Sequence, residues 1–299
     1  MINQNFAVVL GSMRVPFLLL VPVCVLVGLA TALYDGHPID PLHAVLAFIG
    51  ALATHISVNA LNEYDDFKSG LDLKTRRTPF SGGSGMLPAN PGKAAYALVT
   101  GLTSLAVTLA VGIYFISVWG WGILPIGLLG VLVITLYTRW LTRSPILCLI
   151  APGLGFGPLM VMGVHFVLTG QYSWTAFAAS HVPFFLVSDL LLLNQFPDYE
   201  ADGKAGRRHL IVAWGPRAGI LAYGIFLACA YLSVIAAVLM HVLPSWGLIA
   251  LGTLLIALPV FIGANRYHSA IPELIPFMGR NVVLTLVTPV LLAVGIFIA

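Results

Sequence analysis

Nine nearly uncharged apolar runs, at 15–34, 41–61, 94–117, 121–138, 146–168, 173–193, 218–240, 244–263 and 281–299, set the pattern of the chain. Each approaches the ~20 residues a helix needs to cross a ~30 Å hydrocarbon layer. None alternates with the period of two that a barrel strand requires, and backbone groups in lipid must pair within their own segment. The pattern therefore predicts an all-α membrane protein, nine transmembrane helices around a central cavity. Connections are short, so residues 1–299 read as a single transmembrane domain. Prolines inside the runs (Pro22, Pro125, Pro152, Pro158, Pro183, Pro259, Pro289) predict kinks that open space between helices. The first run has Arg14 ahead of it and Ala-Thr-Ala at 30–32, which imitates a cleavable signal; it is read as a retained helix.

Charge supplies the orientation. Hydrophobic residues make up 59% of the chain and charged residues only 8%, and the mean hydropathy is +0.98. If the nine runs alternate in direction, all 14 Lys and Arg residues fall on one side. The positive-inside rule makes that side cytoplasmic, in a bacterial or archaeal cell membrane. The net charge of +3 then reports lipid orientation. With no basic stripe interleaved with aromatics, nucleic-acid binding is excluded. Cys24, Cys148 and Cys229 sit inside apolar runs at no metal or disulfide spacing and read as small packing residues.

Against this background two acidic clusters stand out: "NEYDDFKSGLD" at 62–72 and "NQFPDYEADGKAGRRH" at 194–209. They follow the second and sixth runs, and each opens with Asn and places Asp four residues later. The repeat predicts two related four-helix halves plus a ninth helix. Residues four apart share a helix face. Asn62 with Asp66 thus makes one polar edge and Asn194, Asp198 and Asp202 another, with Pro197 bending or restarting the second helix. Asp72 follows Gly70 and turns back toward the site. Facing carboxylates need a cation, and Lys68, Arg76, Arg77, Lys204, Arg207 and Arg208 are near in sequence. A pure ion-pair network needs no matched Asn, whereas Mg²⁺ takes oxygen ligands and bridges carboxylates to phosphate oxygens. A diphosphate clamp at the mouth of an apolar cavity fits a prenyl diphosphate. A merely solvated membrane edge is the plainer reading of the same residues.

These two stretches resemble the UbiA superfamily of intramembrane prenyltransferases, and the likeness covers nearly the whole chain. The resemblance implies nine helices with two aspartate-rich motifs. It implies metal ligands at Asn62, Asp66, Asp72, Asn194, Asp198 and Asp202, and Mg²⁺-dependent transfer from a prenyl diphosphate to a lipophilic, aromatic acceptor. "FGPLMVMG" at 156–163 is similar to the branch that prenylates dihydroxynaphthoate in menaquinone synthesis. "YT" at 137–138 gives Tyr137 a place near the reacting carbons. The segment "RWLTRSPILCLIAPG" departs from that branch: Arg143 is its basic equivalent and the acid is missing. "TPFSGGSG" also differs from the commoner first loop.

The expected mechanism places metal on Asn62, Asp66, Asp198 and Asp202, with Arg77, Arg143 and Lys204, then Lys68 and Arg207, contacting the diphosphate. Aromatic faces such as Tyr137 stabilise the allylic cation. Asp189 either pairs with His55 or His181 or serves the acceptor as a base, and His55 points into the cavity or packs. Two other classes compete. "DGKAGR" at 202–207 imitates the start of a CDP-alcohol phosphotransferase motif, but its downstream acids are absent. A transporter would hold its acids at mid-membrane rather than at the edge.

Overall fold

The computed structural model describes residues 4–75 and 77–299; Arg76 lies outside them. Among the described residues every regular element is helical. A short helix α1 (Gln4–Met13) precedes α2 (Leu20–Tyr34), α3 (Pro41–Lys68), α4 (Met86–Ala89), α5 (Ala94–Trp119) and α6 (Leu124–Leu136). Next come α7 (Pro145–Leu154) and α8 (Gly163–Thr169), joined by the π-helical stretch Gly155–Met162. The chain closes with α9 (Trp174–Asn194), α10 (Tyr199–Lys204), α11 (Leu210–Trp214), α12 (Pro216–Leu239), α13 (Leu254–Tyr267) and α14 (Ile271–Phe297).

Eight stretches of the described chain are long and apolar enough to span a membrane, one of them running from Pro91 to Leu136. That stretch makes two crossings. Ser57 Oγ of α3 donates to the Gly101 carbonyl of α5 at 2.9 Å, and Asn62 Nδ2, near the same end of α3, donates to Thr138 Oγ1 at 3.0 Å. Residues 101 and 138 therefore lie at one level, and the chain between them must go out and return. It reverses at Gly120, whose φ of +71° is open to glycine at no steric cost. Among the described residues the apolar helices thus make nine passes, as the apolar pattern predicts.

Local chemistry sets the helix starts. Asp40 Oδ1 caps α3 by accepting from the Leu42 N–H at 2.7 Å, and Ser173 Oγ caps α9 by accepting from the Thr175 N–H at 3.0 Å. Pro125 and Pro145 occupy first turns, where a missing N–H costs nothing. Three boundaries differ from the apolar runs. α3 continues to Lys68, so the first motif rides on the helix until Gly70 (φ +75°) stops it. The Gly70 and Leu71 N–H groups close that end on the Phe67 and Asp66 carbonyls at 3.0 and 3.1 Å. α9 ends at Asn194, and Asp198 and Asp202 sit on or beside the separate α10, as Pro197 implies. α14 begins at Ile271, ten residues before its apolar run.

Lipid gives apolar helices little reason to associate, so small residues draw them together. Gly153 and Gly157, one turn apart, press α7 and the π-helical stretch onto α9. A Cβ at Gly157 would lie 2.5 Å from the Ser180 carbonyl and 2.8 Å from the Phe184 nitrogen. At the far end of the bundle, Asp35 accepts hydrogen bonds from Ser173 and from Thr175 Oγ1, the latter at 2.8 Å, tying α2 to α9. At the motif end, Val8, Leu87, Ala94 and Ala97 form a small separate core, which seats α1 and α4 on α5.

Gly157→Leu is expected to push the π-helical stretch off α9. Overpacking costs about 1–3 kcal/mol, read as a lower unfolding temperature in detergent, while Gly112→Leu, where a Cβ meets nothing, leaves that temperature unchanged.

Candidate active site

One face of α3 descends into a cavity of about 380 Å³. His55, Asn59, Asn62 and Asp66, spaced four, three and four residues apart, all line it. Helical spacing thus turns a linear motif into a polar stripe on an otherwise apolar wall. The Gly70 turn sends Asp72 back over the mouth, where it is 6% exposed. From the opposite side come Asn194, the last residue of α9, with Asp198 and Asp202 around α10; all three line the same cavity.

The two motifs meet through Arg207. Its Nη2 donates to Asp66 Oδ1, and its Nη1 donates to Asp202 Oδ1 at 3.1 Å. Asp202 Oδ2 in turn pairs with His209 Nε2 at 3.1 Å. Burial opposes the charge on Arg207, but Asp66 and Asp202 overcome it and hold the guanidinium more firmly protonated than usual. Asp198 takes its partner from the glycine-rich loop: its Oδ2 accepts from the Gly82 N–H at 2.9 Å. Farther along that loop, the Ser84 N–H and hydroxyl both donate to Glu63. Glu63 is fully buried and also holds Arg14 at 3.0 Å. The loop therefore lies across the mouth, pinned by one carboxylate from each motif.

Three oxygens in this mouth are buried with no hydrogen-bond partner: Asp72 Oδ2, Asn194 Oδ1 and Asp198 Oδ1. Buried oxygens without donors are costly, and they are the ligand type a hard divalent cation takes. Burial pushes the Asp72 carboxyl up to about 7, with repulsion from Asp66 and Glu63 adding to it. Burial likewise pushes Asp198 up to about 7, with Asp202 adding and the Gly82 N–H opposing. Among the described residues no three His, Cys, Asp or Glu side chains already enclose an ion-sized point. The Arg207 guanidinium stands between Asp66 and Asp202, so the donor set fits a metal once that cation yields.

All six oxygen ligands expected from the sequence, Asn62, Asp66, Asp72, Asn194, Asp198 and Asp202, line this one cavity, as does Tyr137. A tyrosine phenol is uncharged at neutral pH, so Tyr137 lines the cavity as a neutral aromatic. The basic residues divide differently. Of those expected at the diphosphate, Arg207 alone lines the cavity. Arg77 is exposed and donates to the Ser84 carbonyl. Lys68 is exposed over the Tyr64 ring, and Arg143 and Lys204 are exposed and do not line the cavity. Long cationic side chains at a membrane edge reach water readily, and none of these four lines the cavity. Asp189 also lies apart from these residues. It is fully buried, does not line the cavity, and both its oxygens lack hydrogen-bond partners. It makes no hydrogen bond to His55 or His181 and lies instead near Cys229 and Tyr223 of α12, because its position on α9 faces away from the Asn194 side. His181 instead bonds the Phe177 carbonyl at 2.8 Å. His55 is 5% exposed and lines the cavity.

The sequence reading missed Arg14, Glu63 as its anchor, and His209. Arg14 lines the cavity and adopts a left-handed φ of +51°, a conformation that costs a non-glycine residue roughly 1–2 kcal/mol. Its only sequence signal is that it is the first charge of the chain, immediately before an apolar run.

A model of the UbiA prenyltransferase family matches residues 20–275. The 1,4-dihydroxy-2-naphthoate octaprenyltransferase of Bacillus subtilis is 27% identical over 74% of this chain and 70% of its own length. The UbiA prenyltransferase domain-containing protein 1 of Xenopus tropicalis is 29% identical over 71% of this chain and 61% of its own length. Among solved structures, a digeranylgeranylglyceryl phosphate synthase superposes with a TM-score of 0.68 at 14% identity, covering 99% of this chain and all of the other. An apo UbiA homologue from Aeropyrum pernix gives 0.67 at 17% identity over 95% of this chain and 98% of its own. A UbiA homologue from Archaeoglobus fulgidus bound to GPP and Mg²⁺ gives 0.59 at 17% identity over 95% of this chain and 99% of its own. With aspartate-bearing motifs from two distant stretches meeting over an apolar cavity inside that fold, the chain belongs to the UbiA prenyltransferase family.

Proposed function

We propose that this protein transfers a prenyl group from a prenyl diphosphate to a lipophilic, aromatic acceptor, with Mg²⁺, in quinone or related isoprenoid-lipid synthesis. One observation carries the reading: oxygen-bearing side chains from both motifs, several without partners, crowd the polar mouth of an apolar cavity. The Archaeoglobus neighbour bound to GPP and Mg²⁺ supports the donor and the metal. The naphthoate prenyltransferase relative supports the aromatic acceptor. The partition of basic residues supports a mouth at the cytoplasmic face of a cell membrane.

Asn62, Asp66, Asp72, Asn194, Asp198 and Asp202 would hold Mg²⁺, which when bound neutralises charge on the departing diphosphate. Arg207 and Arg14 supply the fixed positive charge of the mouth. Arg14 is held by Glu63 and so is oriented before the donor arrives, while Arg207, which bridges Asp66 and Asp202, would turn its donor edges to the diphosphate once those carboxylates hold metal. The cavity wall of Val111, Phe115, Ile126, Val164 and Leu159 takes the hydrocarbon tail and keeps water from the allylic cation. The Tyr137, Phe17, Phe80 and Phe156 rings line the same space and offer faces to that cation. A glycerol-lipid acceptor is the second reading, supported by the digeranylgeranylglyceryl phosphate synthase neighbour. One allylic diphosphate offered with a panel of acceptors, with products identified by mass, separates the two.

Asp66→Ala and Asp198→Ala are each expected to lower Mg²⁺-dependent release of diphosphate from labelled prenyl diphosphate by about 100-fold or more. Wild-type turnover in either variant, or label that crosses the membrane chemically unchanged, removes the transferase reading. Arg207→Ala should raise the donor KM at least about tenfold, whereas Arg143→Ala and Lys204→Ala leave it within about twofold. Mg²⁺ affinity is expected to rise with pH. Asp72 and Asp198 are pushed up to about 7, so below that value the metal competes with bound protons and above it with none. Calorimetry in buffers of different ionisation enthalpy should record proton release at pH about 6 and almost none at pH about 8.5.

A further inference from the structure

The apolar depth of the cavity contains a polar side chain that the protein leaves without a partner. Thr54 and Thr108 bond each other and their own helices at 2.8–3.2 Å, and Asn59 Nδ2 donates to the Met13 carbonyl at 3.0 Å. His55, on the same wall, is 5% exposed, and its Nδ1 is buried with no hydrogen-bond partner. Its ring stands edge-on to Phe156, centroids 4.8 Å apart and planes at 86°. Phe156 belongs to the π-helical stretch, whose wide turn brings it onto the cavity wall beside Gly155, where a Cβ would meet open space. Wide turns of this kind recur at functional sites.

We propose that His55 is a catalytic residue on the acceptor side: its imidazole binds a ring hydroxyl of a hydroxylated arene and takes the proton released as the new bond forms. The proposal rests on the prenyl diphosphate reading above. His55 lies seven residues before Asn62 on the same face, ~10 Å deeper at 1.5 Å per residue. A diphosphate held at Asn62 and Asp66 puts its first allylic carbon between those levels. The attacking ring carbon must come within about 3–3.5 Å of it, and a hydroxyl on that ring then falls at the depth of His55. The polar capacity there suits one hydroxyl. A phosphate ester would need cations, and the nearest, Arg14, is engaged by Glu63. Gly155 and the edge of Phe156 leave room for a flat ring.

The step balances. The hydroxyl proton passes to His55 as the ring's π pair closes the carbon–carbon bond, and the carbon–oxygen bonding pair leaves with diphosphate. The dienone so formed regains aromaticity by moving its ring proton to oxygen, and the imidazolium returns one proton per turnover to the medium.

The test uses the full chain in lipid nanodiscs, with His55→Gln and His55→Leu. A farnesyl thiodiphosphate analogue, which resists ionisation, reports donor binding with Mg²⁺. Hydroxylated naphthoate and benzoate acceptors report transfer. Analogue Kd should stay within about twofold in both variants. Gln, which still accepts a hydrogen bond, should keep the acceptor KM and lose about 100-fold in kcat; Leu should lose both. Parent-like transfer in His55→Leu overturns the proposal, as does a loss of analogue binding in both variants that matches the loss of transfer, since that is the mark of a packing residue. Absence of Mg²⁺-dependent analogue binding in the unsubstituted protein overturns the diphosphate reading itself, and this proposal with it.

Discussion

The arrangement at the cavity mouth depends on the bridge that Arg207 makes between Asp66 and Asp202. Those acids belong to sequence stretches more than a hundred residues apart, and a guanidinium with two donor edges is the group that can hold one carboxylate of each. Removing one partner from such a buried pair costs about 3–5 kcal/mol, because the remaining charge is stranded in low dielectric. The same argument explains why a metal is needed for function. Arg207 and Arg14, the latter already paired with Glu63, are too few cations for Asp66, Asp72, Asp198 and Asp202 together, and oxygens of Asp72 and Asp198 are left with no donor.

A second constraint comes from the membrane. The tail-binding space has to be apolar, yet apolar helices gain little by association in lipid. The chain meets both demands with glycine, used in two ways. At Gly153 and Gly157 the missing Cβ lets helices touch, and at Gly112, Gly127, Gly130 and Gly155 it leaves cavity. Pro152 and Pro158 bracket the change from α to π geometry that turns Phe156 inward. Packing and emptiness are thus set by one residue type, according to what stands opposite.

The glycine-rich loop joins these two features. Gly82 and Gly83 have φ of +78° and +68°, a conformation that side chains resist. A Cβ on Gly83 would press on the Asp72 carboxylate at 3.0 Å. The loop passes that close because it carries no side chain there; its main-chain N–H groups serve Asp198 Oδ2 and, together with the Arg14 guanidinium, Glu63.

Much of this was legible in the linear chain. Nine apolar runs require helices because lipid offers the backbone no other partner, and Asn-x-x-x-Asp at a helix end requires a polar face because the helical period is fixed. Those periodic, local features gave the architecture, the Asn62–Asp66 and Asn194–Asp198–Asp202 edges, and the turn of Asp72. Which cations serve the site was not legible: Arg77 and Lys204 are as close in sequence to a motif as Arg207, and only the packing of α3 against the segment after α10 selects among them. Arg14 and the burial of Asp189 away from the cavity were equally hidden. Both depend on which way a side chain faces across an interface between helices distant in the chain, and one-dimensional spacing carries no information about a partner it does not contain.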